Sequence, residues 1–414
     1  MSDNTGNFDP TVIANVQFQT GHFVEAEKTF LKIIKDKPDD YQALVLLGNL
    51  AMLSNRFKEA EEWLRKAMKV EPKEPAPHAL LAEVFYRQDK FQDAAKHLRF
   101  YGIDDMAERL ESFKDTKPYQ IADKKNIFKV KMEQVDPLPI VKVKINDHEE
   151  VNFLVDTGAA ELIIDMDFAK DIGLEKFGEK TGTFAGGVQA SMYLSKIETF
   201  SMGDLKVENI PVKILPVRPI SKIFGGKQID GIIGTVLFYH FITTMDYTTG
   251  EVIFRKQTKE NLSTFEKEIE KEKPIEIPFW MAEDHFMVAW GRVNKGERTL
   301  FFLDTGLAGG GFTGARKTLD DAGVKLDEEN AFEGIGGGGK VVAIPFVVEE
   351  LAFGDAIEKN INGVFTERFP IEYSVGFRIG GIISHQFFRT YSLTFDFIKM
   401  RFILIKKIAD IQKE

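Results

Sequence analysis

The chain has 414 residues, 43% apolar and 29% charged, with a net charge of −10, the balance of an ordinary globular protein long enough for two or three domains. The acid surplus argues against a nucleic-acid partner, since phosphate binding needs an excess of Lys and Arg. No apolar run approaches the ~20 residues that cross a bilayer, and the absence of cysteine excludes disulfides, thiol catalysis and thiolate metal sites.

The first ten residues, MSDNTGNFDP, lack a basic start and an apolar core, so the sequence as given reads as cytoplasmic. Periplasmic or secreted location is the expectation if a leader has been removed.

Three segments then recur at a period of 34: GHFVEAE at Gly21, NRFKEAE at Asn55 and DKFQDAA at Asp89. Each carries Phe-x-x-Ala, giving Phe23, Phe57 and Phe91 with Ala26, Ala60 and Ala94. Between them apolar residues keep helical spacing, and Pro38 and Pro72 close their helices. The small Ala is needed where two helices cross closely, and the Phe fills the gap between hairpins. Residues 7–108 resemble the tetratricopeptide repeat, best in the middle copy, with Leu47, Gly48, Ala60, Ala67 and Pro72 at the family's positions. The resemblance implies three helical hairpins. They either offer a groove to a peptide or protein partner or pack against the rest of the chain.

Beyond a polar stretch at 111–125 the pattern turns from helical to alternating. Ile140 to Ile145 leads through Asn146-Asp147-His148 into an apolar strand ending at Asp156; Met287 to Val293 leads through Asn294-Lys295-Gly296 into one ending at Asp304. Both read as β-hairpins feeding an acid. Downstream, DFAKDIGL and RKTLDDAGV are short helices stopped by Gly173 and Gly323. Glycine-rich turns follow, TFAGGVQ and GIGGGGK, then strand pairs about Gly-Asp turns, then IDGIIGTVLF and IGGIISHQFF, and a closing hairpin in each. From Asp-Thr-Gly to the Gly-Ile-Ile element is 75 residues in one copy and 77 in the other. Such agreement across six elements implies a tandem duplication.

Repeated Asp-Thr-Gly, glycine-rich hairpin and apolar-apolar-Gly strand resemble an aspartic protease. The short units, with DTGAAELII followed by FAKDIGL, are similar to the retropepsin-like bacterial group rather than the longer pepsins. The implied architecture is multidomain, α plus all-β: helical repeats, then a bilobal β-barrel aspartic protease fold with lobes at 126–256 and 276–408. The implied function is endopeptidase hydrolysis of extended polypeptide, with no cofactor and no metal. Asp156 and Asp304 would form the catalytic pair, supported by Thr157, Gly158, Thr305 and Gly306. The turns carrying Phe184, Gly186 and Gly187, and Ile335, Gly336 and Gly337, would be flaps over the substrate. Ile233 and Gly234, and Ile383 and Ser384, would run beneath the aspartate loops.

The chemistry requires two carboxyls because one must take the proton of a water while the other donates to the scissile carbonyl. Two like charges ~3 Å apart repel by roughly 5 kcal/mol at an effective dielectric of about 20, so the pair holds one proton over a wide pH range. Leu307, where a small residue usually follows Asp-Thr-Gly, and Ser384, the counterpart of Gly234, depart from the family pattern. They leave a second reading, an inactive scaffold that clasps peptides with the same cleft and the helical repeats. A third arrangement pairs each lobe with its copy in another chain; the short link between lobes favours pairing within one. A further expectation is that the helices cover the cleft of a zymogen, in which case deleting residues 1–110 raises turnover.

Other motifs carry less. GIGGGGK matches phosphate-loop patterns, but VVAIPFVV follows and reads as strand, whereas a phosphate loop must open a helix. The seven histidines are scattered, with no pair at ligand spacing. The charged run from Lys256 to Lys273 reads as a solvated connector, and Asp246 and Asp396 as turn caps.

Overall fold

The computed structural model describes residues 9–407 apart from 184–188, 337–338, 368 and 370. Helices α1 (Pro10–Gln19), α2 (Phe23–Asp36), α3 (Tyr41–Leu53), α4 (Phe57–Val70), α5 (Ala76–Tyr86) and α6 (Phe91–Phe100) form three hairpins, and α7 (Asp104–Glu111) extends the stack. Local chemistry sets the boundaries. The carboxylate of Asp9 accepts from Thr11 N–H at the start of α1, and that of Asp40 from Ala43 N–H at the start of α3. Ala26, Ala60 and Ala94 are fully buried. A Cβ on Gly48 would lie 2.6 Å from the Leu64 side chain, so α3 and α4 approach as closely as the small residues allow.

Each hairpin turns at a left-handed residue, Gly21, Asn55 and Asp89, with φ of +83°, +54° and +58°. Gly and Asn are favoured there because Cβ crowding is absent or offset by a short polar side chain. These three positions, one per repeat, dock on the β region. Gly21 lies against Leu300, Asn55 Nδ2 donates to Phe397 O at 3.1 Å, and Asp89 bonds His240 Nε2 at 3.1 Å. Phe18, Phe23, Leu47 and Leu50 share an apolar cluster with Val288, Phe302 and Phe377. Tyr86, Phe91, Leu110 and Phe113 join the largest cluster, which runs through the β region. Of the two roles left open for the repeats, packing against the rest of the chain is therefore one the structure displays.

The β region contains two barrels of the same strand order. In the first, Leu205–Leu215, Leu162–Asp165, Gly231–Ile233, Val151–Val155, Ile140–Ile145 and Gln189–Met202 pair in turn, and the last returns to the first. In the second, Ala356–Thr366, Phe312–Gly314, Ile379–Ser384, Thr299–Asp304, Phe286–Val293 and Gly339–Phe353 close in the same way. Closure leaves no open edge within either ring. The strand leading to each aspartate pairs in parallel with the apolar strand beneath it, Val155 opposite Ile233 and Asp304 opposite Ser384.

A six-stranded sheet joins the barrels, ordered Ile275–Pro278, Arg401–Lys406, Tyr391–Asp396, Phe241–Asp246, Glu251–Lys256, Ile127–Lys131. At its centre Thr244 and Thr394 face one another, their hydroxyls 2.7 Å apart. Asp246 and Asp396 cap the hairpin turns, each accepting from two backbone N–H groups. The charged run beyond Lys256 differs from the expected solvated connector. Lys259–Lys271 is a helix, capped by the Thr258 hydroxyl, whose Phe265 and Ile269 are buried against Ile242 and Ile403. An apolar stripe of Leu262, Phe265 and Ile269 among the charges was enough to fix it on the sheet.

Candidate functional site

The two Asp-Thr-Gly loops meet between the barrels, and backbone geometry brings them there. Asp156 N–H donates to Ile233 O at 3.0 Å, which ends its strand against the segment below. The threonines then cross-link the loops reciprocally. Thr157 N–H donates to the Thr305 hydroxyl at 3.0 Å, and Thr305 N–H to the Thr157 hydroxyl at 3.0 Å. Those hydroxyls donate onward to Leu303 O at 3.0 Å and Val155 O at 2.9 Å. Both threonines are fully buried, so the four bonds satisfy groups that water cannot reach.

The glycines let the carboxyls approach. Gly158 N–H donates to Asp156 Oδ1 and Gly306 N–H to Asp304 Oδ1, each at 2.8 Å. Each glycine also faces the opposite carboxyl: a Cβ on Gly158 would lie 2.7 Å from Asp304 Oδ1, and one on Gly306 2.2 Å from Asp156 Oδ1. The two carboxyls therefore lie on either side of one seam, each against the other loop's glycine, and both residues remain partly exposed.

Burial raises both acids above the usual carboxylate range. At Asp304 the charge of Asp156 and their mutual hydrogen bond add to burial and hold it well above that range. At Asp156 the hydrogen bond from Asp304, the Gly158 N–H and the charge of His285 oppose burial. Both shifts run upward and belong to the pair, which holds a proton more firmly than an isolated carboxyl does. Such a pair can act as base and acid on a single water.

Beneath the loops the lobes differ. Gly234 is indispensable in the first, since a Cβ would sit 2.3 Å from Ala160 O and 2.5 Å from Glu161 O. Ser384 occupies the corresponding place in the second, and its hydroxyl donates to Gly310 O at 2.6 Å. Room is made by the loop above: from the acid to the next strand it is two residues longer, through Gly309, Gly310 and Gly311. A Cβ on Gly310 would come 2.8 Å from Asn362 O. Leu307 is partly exposed beside Gly306. Ile233 and Ile383 are fully buried under their loops.

Of the expected flap residues, Phe184, Gly186, Gly187 and Gly337 lie outside the described residues. The hairpins that carry them are described: Glu179–Thr183 pairs with Gln189–Met202, and Phe332–Gly336, which contains Ile335 and Gly336, pairs with Gly339–Phe353. His385, directly after Ser384, is fully buried, its ring held well below the usual imidazole range, at about 4, by burial.

Three further polar groups stand beyond the loops. Glu161, five residues past Asp156, is buried and forms a two-pronged ion pair with Arg109 of α7, at 2.8 and 2.7 Å, while accepting from the Tyr86 hydroxyl. Asp165 caps the next helix and accepts from Val217 and Arg218 N–H at 2.8 and 2.9 Å. Among the described residues Glu283, Asp284 and His285 bring potential ligand atoms within 4.8 Å of each other, but His285 Nδ1 and Asp284 Oδ1 already bond at 2.9 Å. Burial acts against the Asp284 charge, yet the His285 bond and nearby cations hold it well below the usual range. A charged residue inside the apolar stretch AAELIID was the one sequence signal for a buried partner at Glu161.

Comparison with known proteins agrees with the two parts of the molecule. Residues 141–237 match the family model described as aspartyl protease, and residues 17–84 the one described as tetratricopeptide repeat. No curated protein matches the chain. Among solved structures, a retropepsin-like aspartic protease from Rickettsia conorii is similar at 15% identity, over 33% of this chain and 95% of that one, with a TM-score of 0.24. The chain is thus similar to aspartyl proteases over the first part of its β region and to tetratricopeptide-repeat proteins in its N-terminal helices.

Proposed function

We propose that the chain is an aspartic endopeptidase that cuts extended polypeptide segments with a water activated between Asp156 and Asp304. The observation that carries this reading is the meeting of the two acids across loops fastened by four reciprocal threonine hydrogen bonds. Asp156, charged, takes a proton from the water as its oxygen attacks the scissile carbonyl carbon. Asp304 gives its proton to the carbonyl oxygen. Collapse of the tetrahedral species returns a proton to the departing amide nitrogen, breaks the C–N bond and restores the shared proton. Acid–base help of this kind contributes about 10² to 10⁴ in rate.

Thr157, Gly158, Thr305 and Gly306 hold the loops, with Ile233, Gly234, Ile383 and Ser384 beneath them. The hairpins over the cleft would pair with substrate backbone as an added strand. The shared strand order of the barrels supports a tandem duplication with lobes at 126–256 and 276–408. The compensation of Ser384 by a longer glycine loop supports retained function in the second lobe. The test is incubation with denatured mixed protein from pH 3 to 8, with and without a statine-type inhibitor. Cleavage that the inhibitor blocks, and that Asp156→Asn or Asp304→Asn abolishes, is the expected result. Undiminished cleavage by either variant would sink the proposal.

A further inference from the structure

We propose that the end of α5 is a bracket that sets the spacing of the two aspartate loops, with Tyr86 and Arg87 as positioning residues, one for each lobe. The two are adjacent in sequence and diverge. Tyr86 is buried and donates its hydroxyl to Glu161, which belongs to the loop running from Asp156 to the next strand. Arg109 holds the same carboxylate from α7 and also donates to Val212 O at 3.1 Å. Arg87 turns to the second lobe, where its Nη2 donates to Met281 O at 3.0 Å and to Glu283 O. Its side chain has no exposed surface, and Glu83 balances its charge from within α5.

The second-lobe turn that Arg87 grips carries His285, whose charge acts on Asp156. The Tyr239 hydroxyl of the first lobe donates to Asp284 O in that turn. One helix end therefore reaches both lobes, at Glu161, five residues past Asp156, and at the turn of Glu283 to His285. A fully buried ion pair is a poor source of net stability, because desolvation offsets its attraction. What it supplies is direction: a fork of donors accepts one placement of the Glu161 carboxylate. A loop that carries one of two facing carboxyls has use for such a constraint.

The inference rests on the proposed peptidase reading for its effect on rate, but not for its effect on geometry. It also has the opposite sign to a zymogen, since loosening the helical unit lowers turnover instead of raising it. The test uses the full chain. With no native cysteine, Lys170→Cys and Lys317→Cys place spin labels on exposed positions of the two lobes. Their distance distribution is then measured with and without Tyr86→Phe, which removes one hydroxyl, and with and without Arg87→Met.

The expected result is a shifted or broadened distribution in both variants. A displacement of about 1 Å at a reacting pair costs about 10²-fold in rate, so kcat should fall by about tenfold or more while KM stays within about twofold. An unchanged distribution overturns the bracket, whether or not kcat or melting temperature falls. If the unsubstituted chain cleaves nothing, the peptidase reading fails, and the label distances still decide this one.

Discussion

The two aspartate loops share a backbone plan but differ in what supports them. Where both loops contribute the same atoms to one shared feature, they are alike: Thr157 and Thr305 exchange equivalent bonds, and Gly158 and Gly306 each face the other's acid. Where the loops face different neighbours, they differ. The first loop is short, runs over Gly234 and is fastened through Glu161 to Arg109 of the helical unit. The second is longer, runs over Ser384 and is made of glycines that fit against Asn362 and Gly363.

The contrast can be broken by exchanging its parts. The largest effect is expected from Gly234→Ser, which puts into the first lobe what the second tolerates. Its Cβ would overlap Ala160 O at 2.3 Å, and backbone cannot yield as a side chain can, so soluble expression and any cleavage should both be lost. A stable, active Gly234→Ser protein would show that the short loop is not the constraint.

Next comes Arg109→Met, which leaves Glu161 buried without its counter-charge. Removing one partner of such a pair costs about 3–5 kcal/mol, to be read from urea unfolding. Breaking the exposed second-lobe pair Arg316–Asp320, at 3.0 Å, should change stability by no more than about 1 kcal/mol. Equal costs would mean that the Arg109 pair is not shielded from water.

A third prediction concerns pH. Asp304 is held above its unfolded value, near about 3.9, by burial and the neighbouring Asp156. Between those two values the folded chain keeps a proton that the unfolded chain has released, so this site's stability is present at low pH and lost as pH rises. Asp304→Asn should therefore raise the melting temperature at pH 7, with the gain closing toward pH 3. A constant gain would separate the effect from the carboxyl pair.

The smallest effect belongs to Ser384→Gly. It removes the 2.6 Å bond to Gly310 O, a loss of about 1 kcal/mol, and should leave the loops in place. The two exchanges together, one fatal and one mild, would establish that the lobes have diverged in loop length and not in chemistry.

Much of this plan could be read from residues alone because it is local or periodic. The turn residues Gly21, Asn55 and Asp89 recur at one spacing, and the Asp-Thr-Gly loops with their underlying strands recur as blocks. The bracket could not be read that way. Tyr86 has Met52 and Phe18 at the matching places of the other repeats, Arg109 lies past the repeats, and the second aspartate loop has no acid to match Glu161, so their pairing depends on how a helical stack lies across two barrels. The amphipathic helix Lys259–Lys271 was hidden for another reason: its three apolar residues are outnumbered by charges, so composition masked periodicity.

The claim beneath the account is that Asp156 and Asp304 titrate as one unit. The pH profile of kcat/KM for a quenched peptide from pH 2 to 9, on the full chain, measures this directly. A bell with two limbs, lost in both Asp156→Asn and Asp304→Asn, is the predicted result. A single limb, or a bell that survives in either variant, would contradict it.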